Sequence, residues 1–235
     1  MNNLALKLTD NIIEVDFTPK RSTSLYKSDG VKKASAADPI RELQHIKAIQ
    51  RYFLDHEQIR NYTIFTIGIL YGLRAGDLLG LRVSHFFTES GNFKLHCDLY
   101  EEKTRKFNNP LITTQIQELI TSYLSQTQPL NYHDPLFPSK KTDGSGNKRP
   151  ITVSQYNRIL KKAATTCNVP GHISSHSMRK TFAYHMIKNN PSNGELQIAL
   201  QRMLNHSSFE TTLIYCGLQQ DTIDKYRSGL EGSLL

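Results

Sequence analysis

Ile40, Leu43, Ile46, Ile49 and Phe53 recur at intervals of three and four residues, the period of a helix that buries one face. Asp38-Pro39 ahead of them reads as an N-cap residue followed by proline at the first helical position, so order is expected to begin there. A second helix starts near Asn61 and carries Ile64, Phe65, Ile67, Ile69 and Leu70. Gly72 is expected to end it, and a short third helix runs through Asp77-Leu78-Leu79. From about Val83 to Ile112 the period changes. Phe93, Leu95, Cys97 and Leu99 alternate with Lys94, His96 and Asp98, as in a half-buried strand. The polar run Lys103-Thr104-Arg105-Lys106 is the predicted hairpin tip, and residues 107–112 the returning strand, kept near an edge by Pro110. A helix over 113–125 follows, then a basic, glycine-containing loop over 139–149.

Thr152-x-x-Gln155 is a capping box opening a helix with Val153, Tyr156, Ile159, Leu160 and Ala163 on one face. Ser192-x-x-Glu195 caps another, with Leu196, Ala199, Leu200 and Met203 turned inward, and Ser207-x-x-Glu210 forms a third box before Thr211. Residues 1–36 are polar and charged and read as a flexible leader with one short strand around 12–17; residues 37–235 form the body. The fold class expected is mainly α with a small three-stranded antiparallel sheet, and the pattern shows no internal repeat.

Composition narrows the partners. Among 235 residues, lysine and arginine exceed aspartate and glutamate by 8, which favours a polyanion, nucleic acid first and an anionic membrane second. No stretch approaches the roughly 20 apolar residues of a membrane span. The start, Met1-Asn2-Asn3-Leu4-Ala5-Leu6, has no basic segment followed by an apolar run, so no secretory signal is expected. Cys97, Cys167 and Cys216 are odd in number and widely spaced, which points to a reducing compartment.

The chemistry-bearing residues collect in four segments. These are Tyr71-Gly72-Leu73-Arg74-Ala75-Gly76-Asp77, the hairpin tip Glu102-Lys103-Thr104-Arg105-Lys106, Ser175-His176-Ser177-Met178-Arg179-Lys180, and Leu204-Asn205-His206 followed by Tyr215. With this ordered set, the chain resembles the tyrosine recombinase, or phage integrase, family from about Asp38 to its end. The order Arg, Lys, His-x-x-Arg, His, Tyr carries the resemblance, as do the nine-residue step from His206 to Tyr215 and Leu136-Phe137-Pro138-Ser139.

The resemblance implies the catalytic-domain fold of that family and a site-specific DNA recombinase or integrase. Tyr215 would be the nucleophile and the product a covalent 3′-phosphotyrosine link. Arg74 and Arg179 would bind the non-bridging oxygens, whose charge grows in the pentavalent transition state. His176 would serve as base or proton relay, Lys103 would protonate the leaving 5′-oxygen, and His206 would donate a hydrogen bond to the phosphate. Lys106 is an alternative to Lys103. Arg105, Lys106, Lys140, Lys141, Lys148, Arg149 and Lys180 are candidate DNA contacts; the basic loop reads equally as a solvated one. Partners implied are double-stranded DNA at specific sites, a homotetramer assembled on it through a terminal helix over 219–230, and an accessory DNA-bending or directionality protein. The location implied is a bacterial cytoplasm, on the nucleoid when bound.

Some residues depart from the family pattern. Asn205 stands where glycine is usual before the second histidine, and Gly76 where a small polar residue is usual. Asp77 occupies the usual acidic position and is expected to fix local backbone or a basic group. Only about 36 residues precede the pattern, too few for the helical amino-terminal clamp of full-length members. His172 and His176 lie four apart, a metal-compatible spacing on one helix, but Pro170-Gly171 and Ser174-Ser175 argue for a loop. No metal and no cofactor is expected. The rival readings are a type IB topoisomerase-like relaxing enzyme, a non-catalytic DNA-binding regulator on the same fold, and a metal-dependent hydrolase.

Overall fold

The computed structural model describes residues 7–9, 12–14, 37–190, 194–204, 212–213 and 228. The chain divides into two compact units, Met1–Ala36 and Ala37–Leu235. In the first, β1 (Lys7–Thr9) and β2 (Ile12–Glu14) pair antiparallel with Leu8 opposite Ile13. The strand expected around 12–17 is described over Ile12–Glu14 and is paired with Lys7–Thr9.

The second unit contains α1 (Leu43–Asp55), α2 (Ile59–Tyr71), α3 (Ala75–Leu79), α4 (Val83–Phe86), α5 (Thr114–Ser125), α6 (Val153–Thr166), α7 (Ser175–Lys188) and α8 (Gly194–Met203). Two ribbons interrupt the helices: β3 (Leu99–Tyr100) with β4 (Phe107–Asn108), and β5 (Pro138–Thr142) with β6 (Lys148–Pro150). The class is the expected mixture of many helices and little sheet. Among the described residues, however, strands pair as two-stranded ribbons rather than as one three-stranded sheet. Beyond Leu99 the ladder shrinks to isolated pairings, Phe87 with Phe93 and His96 with Leu111. Pro110 has no N–H to offer there, and Leu95 turns outward, 70% exposed, which breaks the predicted alternation.

α2 is the centre of the core because its apolar residues are not confined to one stripe. It packs against α1, α3, α5 and α7, burying Ile64, Phe65 and Ile67 completely. Each such side chain contributes about 1.5–3 kcal/mol relative to exposure. Two glycines set how closely α7 approaches. A Cβ on Gly68 would lie 2.6 Å from the Met178 sulfur. Gly72, the residue that ends α2, has φ of 60°, and a Cβ there would lie 2.3 Å from the Phe182 ring. Gly72→Ala therefore combines left-handed strain with overpacking, roughly 2–5 kcal/mol together. Thermal unfolding should show a clear fall in Tm for this variant; an unchanged Tm would contradict the packing described.

Capping chemistry reads well at some helix starts and badly at one. Thr113 accepts from Ile116 N at the start of α5, and Thr152 with Gln155 forms the predicted box at α6. α1, by contrast, begins at Leu43 with Glu42 as N-cap, not at Asp38-Pro39. The Asp38 carboxylate accepts instead from His172 N at 2.8 Å, while Ile40 N donates to the Thr181 hydroxyl at 2.8 Å. This pins the entering segment to α7 before the helix starts. Leu43 is consequently exposed, as is Met203 on α8, whereas Leu200 is fully buried. Ser192, the box at Ser207 and, apart from Ser228, the terminal helix over 219–230 lie outside the described residues. No helix among the described residues is long and apolar enough to cross a membrane.

Candidate active site

The tight link Gly72-Leu73-Arg74 joins α2 to α3, and Arg74 is the extended N-cap residue of α3, with φ −62° and ψ 148°. Leu73 is buried, so the backbone direction at Arg74 is set by the core beneath it. The Arg74 guanidinium forms an ion pair with Glu101, whose side chain is wholly buried at the base of the β3–β4 hairpin. Arg74 itself remains partly exposed and lines an open cleft of about 470 Å³.

Lys103, Arg105 and His176 line the same cleft, with Asp77 and Glu102. Lys103 sits in the hairpin turn, where Glu101 N donates to Lys106 O and Arg105 N donates to Glu101 O. Arg105 closes that turn with φ of 56°. Lys103 lines the cleft and Lys106 is not among its lining residues. Asp77 takes the structural role expected of it: its Oδ1 accepts from Glu102 N at 2.8 Å. Burial raises the Asp77 carboxyl pKa, opposed by that backbone hydrogen bond.

His176 occupies the first turn of α7, where Ser174 N donates to Ser177 Oγ at 3.0 Å and Ser177 N to the Ser174 carbonyl at 2.9 Å. His172 lies in the preceding loop, not on the helix. Among the described residues no group of three or more histidine, cysteine or acidic side chains is arranged to hold a metal. Burial, then the charges of Arg179, Lys180 and Lys103, lower the His176 pKa below its ordinary 6.5. The imidazole is therefore neutral at neutral pH, the form a base or relay needs. Because the unfolded chain binds this proton more readily, His176 costs stability as pH falls below 6.5 towards the lowered folded value. If neutral His176 carries a proton in the reaction at this cleft, the acid limb of that reaction lies below pH 6.5, and Lys180→Gln moves it upward. A pH–rate profile checks this; a limb above 6.5 would contradict it.

Arg179 is only 3% exposed. Its Nη1 donates to Gly72 O at 2.9 Å and its Nη2 to Leu204 O at 2.6 Å. It thus grips the link that carries Arg74 and, on its other side, the last residue of the described segment before Asn205-His206. It is not among the residues that line the cleft, and its charge lowers the His176 pKa. The structure thus gathers Arg74, Lys103 and His176 at one cleft with Arg179 against them; His206 and Tyr215 lie outside the described residues.

The basic loop over 139–149 is the β5–β6 hairpin. Lys140 and Lys141 line a second cleft of about 340 Å³ with Arg60, Gln155 and Arg158. Lys148 is committed elsewhere, donating to Asp134 at 2.9 Å and to Pro129 O at 2.6 Å. Arg149 is exposed, and Lys180 is half-buried beside His176. Three residues escaped the sequence reading: Glu101, Arg60 and Arg158. A signal for Glu101 existed, since Cys97, Leu99 and Glu101 keep the period of two and all three are buried.

The model of the phage integrase family matches residues 40–221. The probable integrase/recombinase YoeC of Bacillus subtilis (strain 168) is 34% identical over 184 residues, covering 78% of this chain and 91% of that protein. The tyrosine recombinase XerD of Rickettsia bellii (strain RML369-C) is 28% identical over 170 residues, covering 68% of this chain and 52% of its own length. In three dimensions, a crystal structure of the XerH site-specific recombinase bound to palindromic difH substrate, in a post-cleavage complex, aligns over 86% of this chain and 56% of that one. The TM-score is 0.61 at 18% identity, and the XerA recombinase gives 0.59 at 18% over 83% of this chain and 66% of that one. The ordered Arg, Lys, His-x-x-Arg, His, Tyr set, the shared fold and a family match across most of the sequence agree: the chain belongs to the phage integrase family, the tyrosine recombinases.

Proposed function

We propose that residues 37–235 form the catalytic domain of a site-specific DNA strand-breaking and rejoining enzyme with Tyr215 as nucleophile. The observation that carries this reading is the shared cleft of Arg74, Lys103 and His176, with Arg179 gripping the backbone from which Arg74 projects. Relatives named as recombinases support it, although the chain spans only about half the length of XerD.

In the proposed reaction the Tyr215 phenol oxygen attacks the scissile phosphorus. His176 takes up or relays the phenolic proton, and the bond to the 5′-oxygen breaks. Lys103 delivers a proton to that oxygen, leaving a 5′-hydroxyl and a 3′-phosphotyrosine ester. Arg74 offers forked donors to the non-bridging oxygens, and Arg179 adds positive charge. His206 donates to the phosphate. The ester keeps the free energy of the broken bond, so the 5′-hydroxyl of another strand can reverse the attack and rejoin.

Lys140, Lys141 and Arg158 around the second cleft, with Arg149 on the same hairpin as the two lysines, are proposed to hold the DNA backbone beside the cut site, with Arg105 and Lys180 nearer the first cleft. Partner strands would be exchanged within a homotetramer on two DNA sites, with an accessory DNA-bending or directionality protein; the location would be the bacterial cytoplasm.

The test is to incubate the full chain, in EDTA, with a library of nicked duplexes and with supercoiled plasmid. Wild type should form a DNA complex that survives denaturing electrophoresis, selective for particular sequences, and Tyr215→Phe should form none. Relaxation of any plasmid without sequence dependence would favour the topoisomerase-like alternative. Binding without a covalent complex would favour a regulator.

A further inference from the structure

The described residues place a carboxylate between two of the groups assigned to the reaction. Glu101 is wholly buried, and one of its oxygens, Oε2, takes the Arg74 guanidinium and also accepts from Thr104 Oγ1 at 2.5 Å. Thr104 adjoins Lys103. The Glu101 carbonyl accepts from Arg105 N at 2.8 Å, and Glu102 N donates to Asp77 on α3 at 2.8 Å. The turn bearing Lys103 is therefore tied twice to the α3 segment, through Glu101 to Arg74 and through Glu102 to Asp77.

Removing a carboxylate from water costs several kcal/mol, recovered only with good partners. A fully buried glutamate there is an expensive way to shape a hairpin, and a well-packed apolar residue would serve packing alone. What an apolar residue could not do is hold one edge of a guanidinium while its other donors face an open cleft.

We propose that Glu101 is a positioning residue that aligns Arg74 for the scissile phosphate and, through Thr104, sets Lys103 in register with it. This rests on the strand-cleavage reading above. Glu101 does not touch DNA; it acts through Arg74 and through the Lys103 turn. Misplacement of a catalytic group by about 1 Å costs on the order of 100-fold in rate, so the expected loss is a rate effect with little change in affinity.

The test uses the full chain on a duplex that wild type cleaves, prepared with three chemistries at the cut: the ordinary phosphate, a neutral methylphosphonate and a 5′-bridging sulfur. Glu101→Gln should lower single-turnover cleavage of the phosphate about 10- to 100-fold at unchanged DNA affinity. On the methylphosphonate, which carries no charge for Arg74 to neutralise, the variant should approach wild type. Thr104→Val should show a smaller loss, relieved by the sulfur, which leaves without needing the Lys103 proton. Wild-type rates in both variants, or losses equal on all three substrates, would overturn the proposal. Thermal unfolding of Arg74→Gln, Glu101→Gln and the double variant tests the pair independently of any DNA reaction. Losses in Tm should be non-additive, the double variant no worse than the poorer single; additive losses would overturn the assignment. A wild type that cleaves no duplex while the melts stay non-additive would instead count against the strand-cleavage reading.

Discussion

Arg179→Ala is expected to abolish strand cleavage and to weaken the fold at the same time. The side chain is nearly inaccessible, and its two terminal nitrogens satisfy the carbonyls of Gly72 and Leu204. Alanine leaves both carbonyls without these donors, at about 1–3 kcal/mol each where they stay buried. It also frees the link that orients Arg74 and removes a positive charge from the site. Losing one such electrostatic contribution costs about 100- to 1,000-fold in rate, and here the second arginine loses its anchor as well. Arg179→Lys separates the effects. Lysine keeps the charge, but a single ammonium cannot span the two carbonyls as a planar fork does. It should recover part of the stability and little of the activity. Single-turnover cleavage and thermal unfolding measured together check this; an active, stable Arg179→Ala would refute the role.

Lys103→Ala is expected to slow cleavage of an ordinary phosphodiester by about 100- to 10,000-fold, the usual range for losing a general acid. The side chain is exposed in the hairpin turn, so stability should change by no more than is usual for surface substitutions, about 0.5 kcal/mol. Substituting sulfur for the 5′-bridging oxygen should restore most of the rate, because a thiolate leaves without a proton. Lys106→Ala should cleave both substrates near the wild-type rate, since Lys103 lines the cleft and Lys106 does not. The reverse pattern would reassign the proton donor.

What the sequence made legible follows from how local each signal is. The box at Thr152 depends on residues within one turn and was readable. So was Gly72, where a left-handed residue ends a helix. Asp38-Pro39 carries the same local signal, yet Asp38 is taken by the backbone of His172, a partner 134 positions away that no window contains. The single sheet foreseen for residues 93–112 became the short β3–β4 ribbon and isolated pairings because Pro110 and the outward Leu95 interrupt a regular ladder. The hairpin within 139–149 was hidden by polar side chains on an exposed ribbon, where no buried face imposes alternation.

The site divides the same way. Arg74, Lys103, His176 and Arg179 were found as an ordered set of residue types. Chemistry alone could not tell that Arg179 is held on two carbonyls rather than lining the cleft, or that Lys148 is spent on Asp134. Glu101 was passed over because an acidic residue beside a basic turn reads as solvated. Its place in the buried register Cys97, Leu99, Glu101 says otherwise.

The most direct measurement is the chemical identity of the link to DNA. Wild-type protein trapped on a nicked duplex, digested with protease and nuclease and analysed by mass spectrometry, should yield one modified peptide. It should be the peptide containing Tyr215, carrying a nucleotide through its 3′-phosphate, with a free 5′-hydroxyl on the opposite side of the break. A linkage on any other residue, or through a 5′-phosphate, would contradict the account.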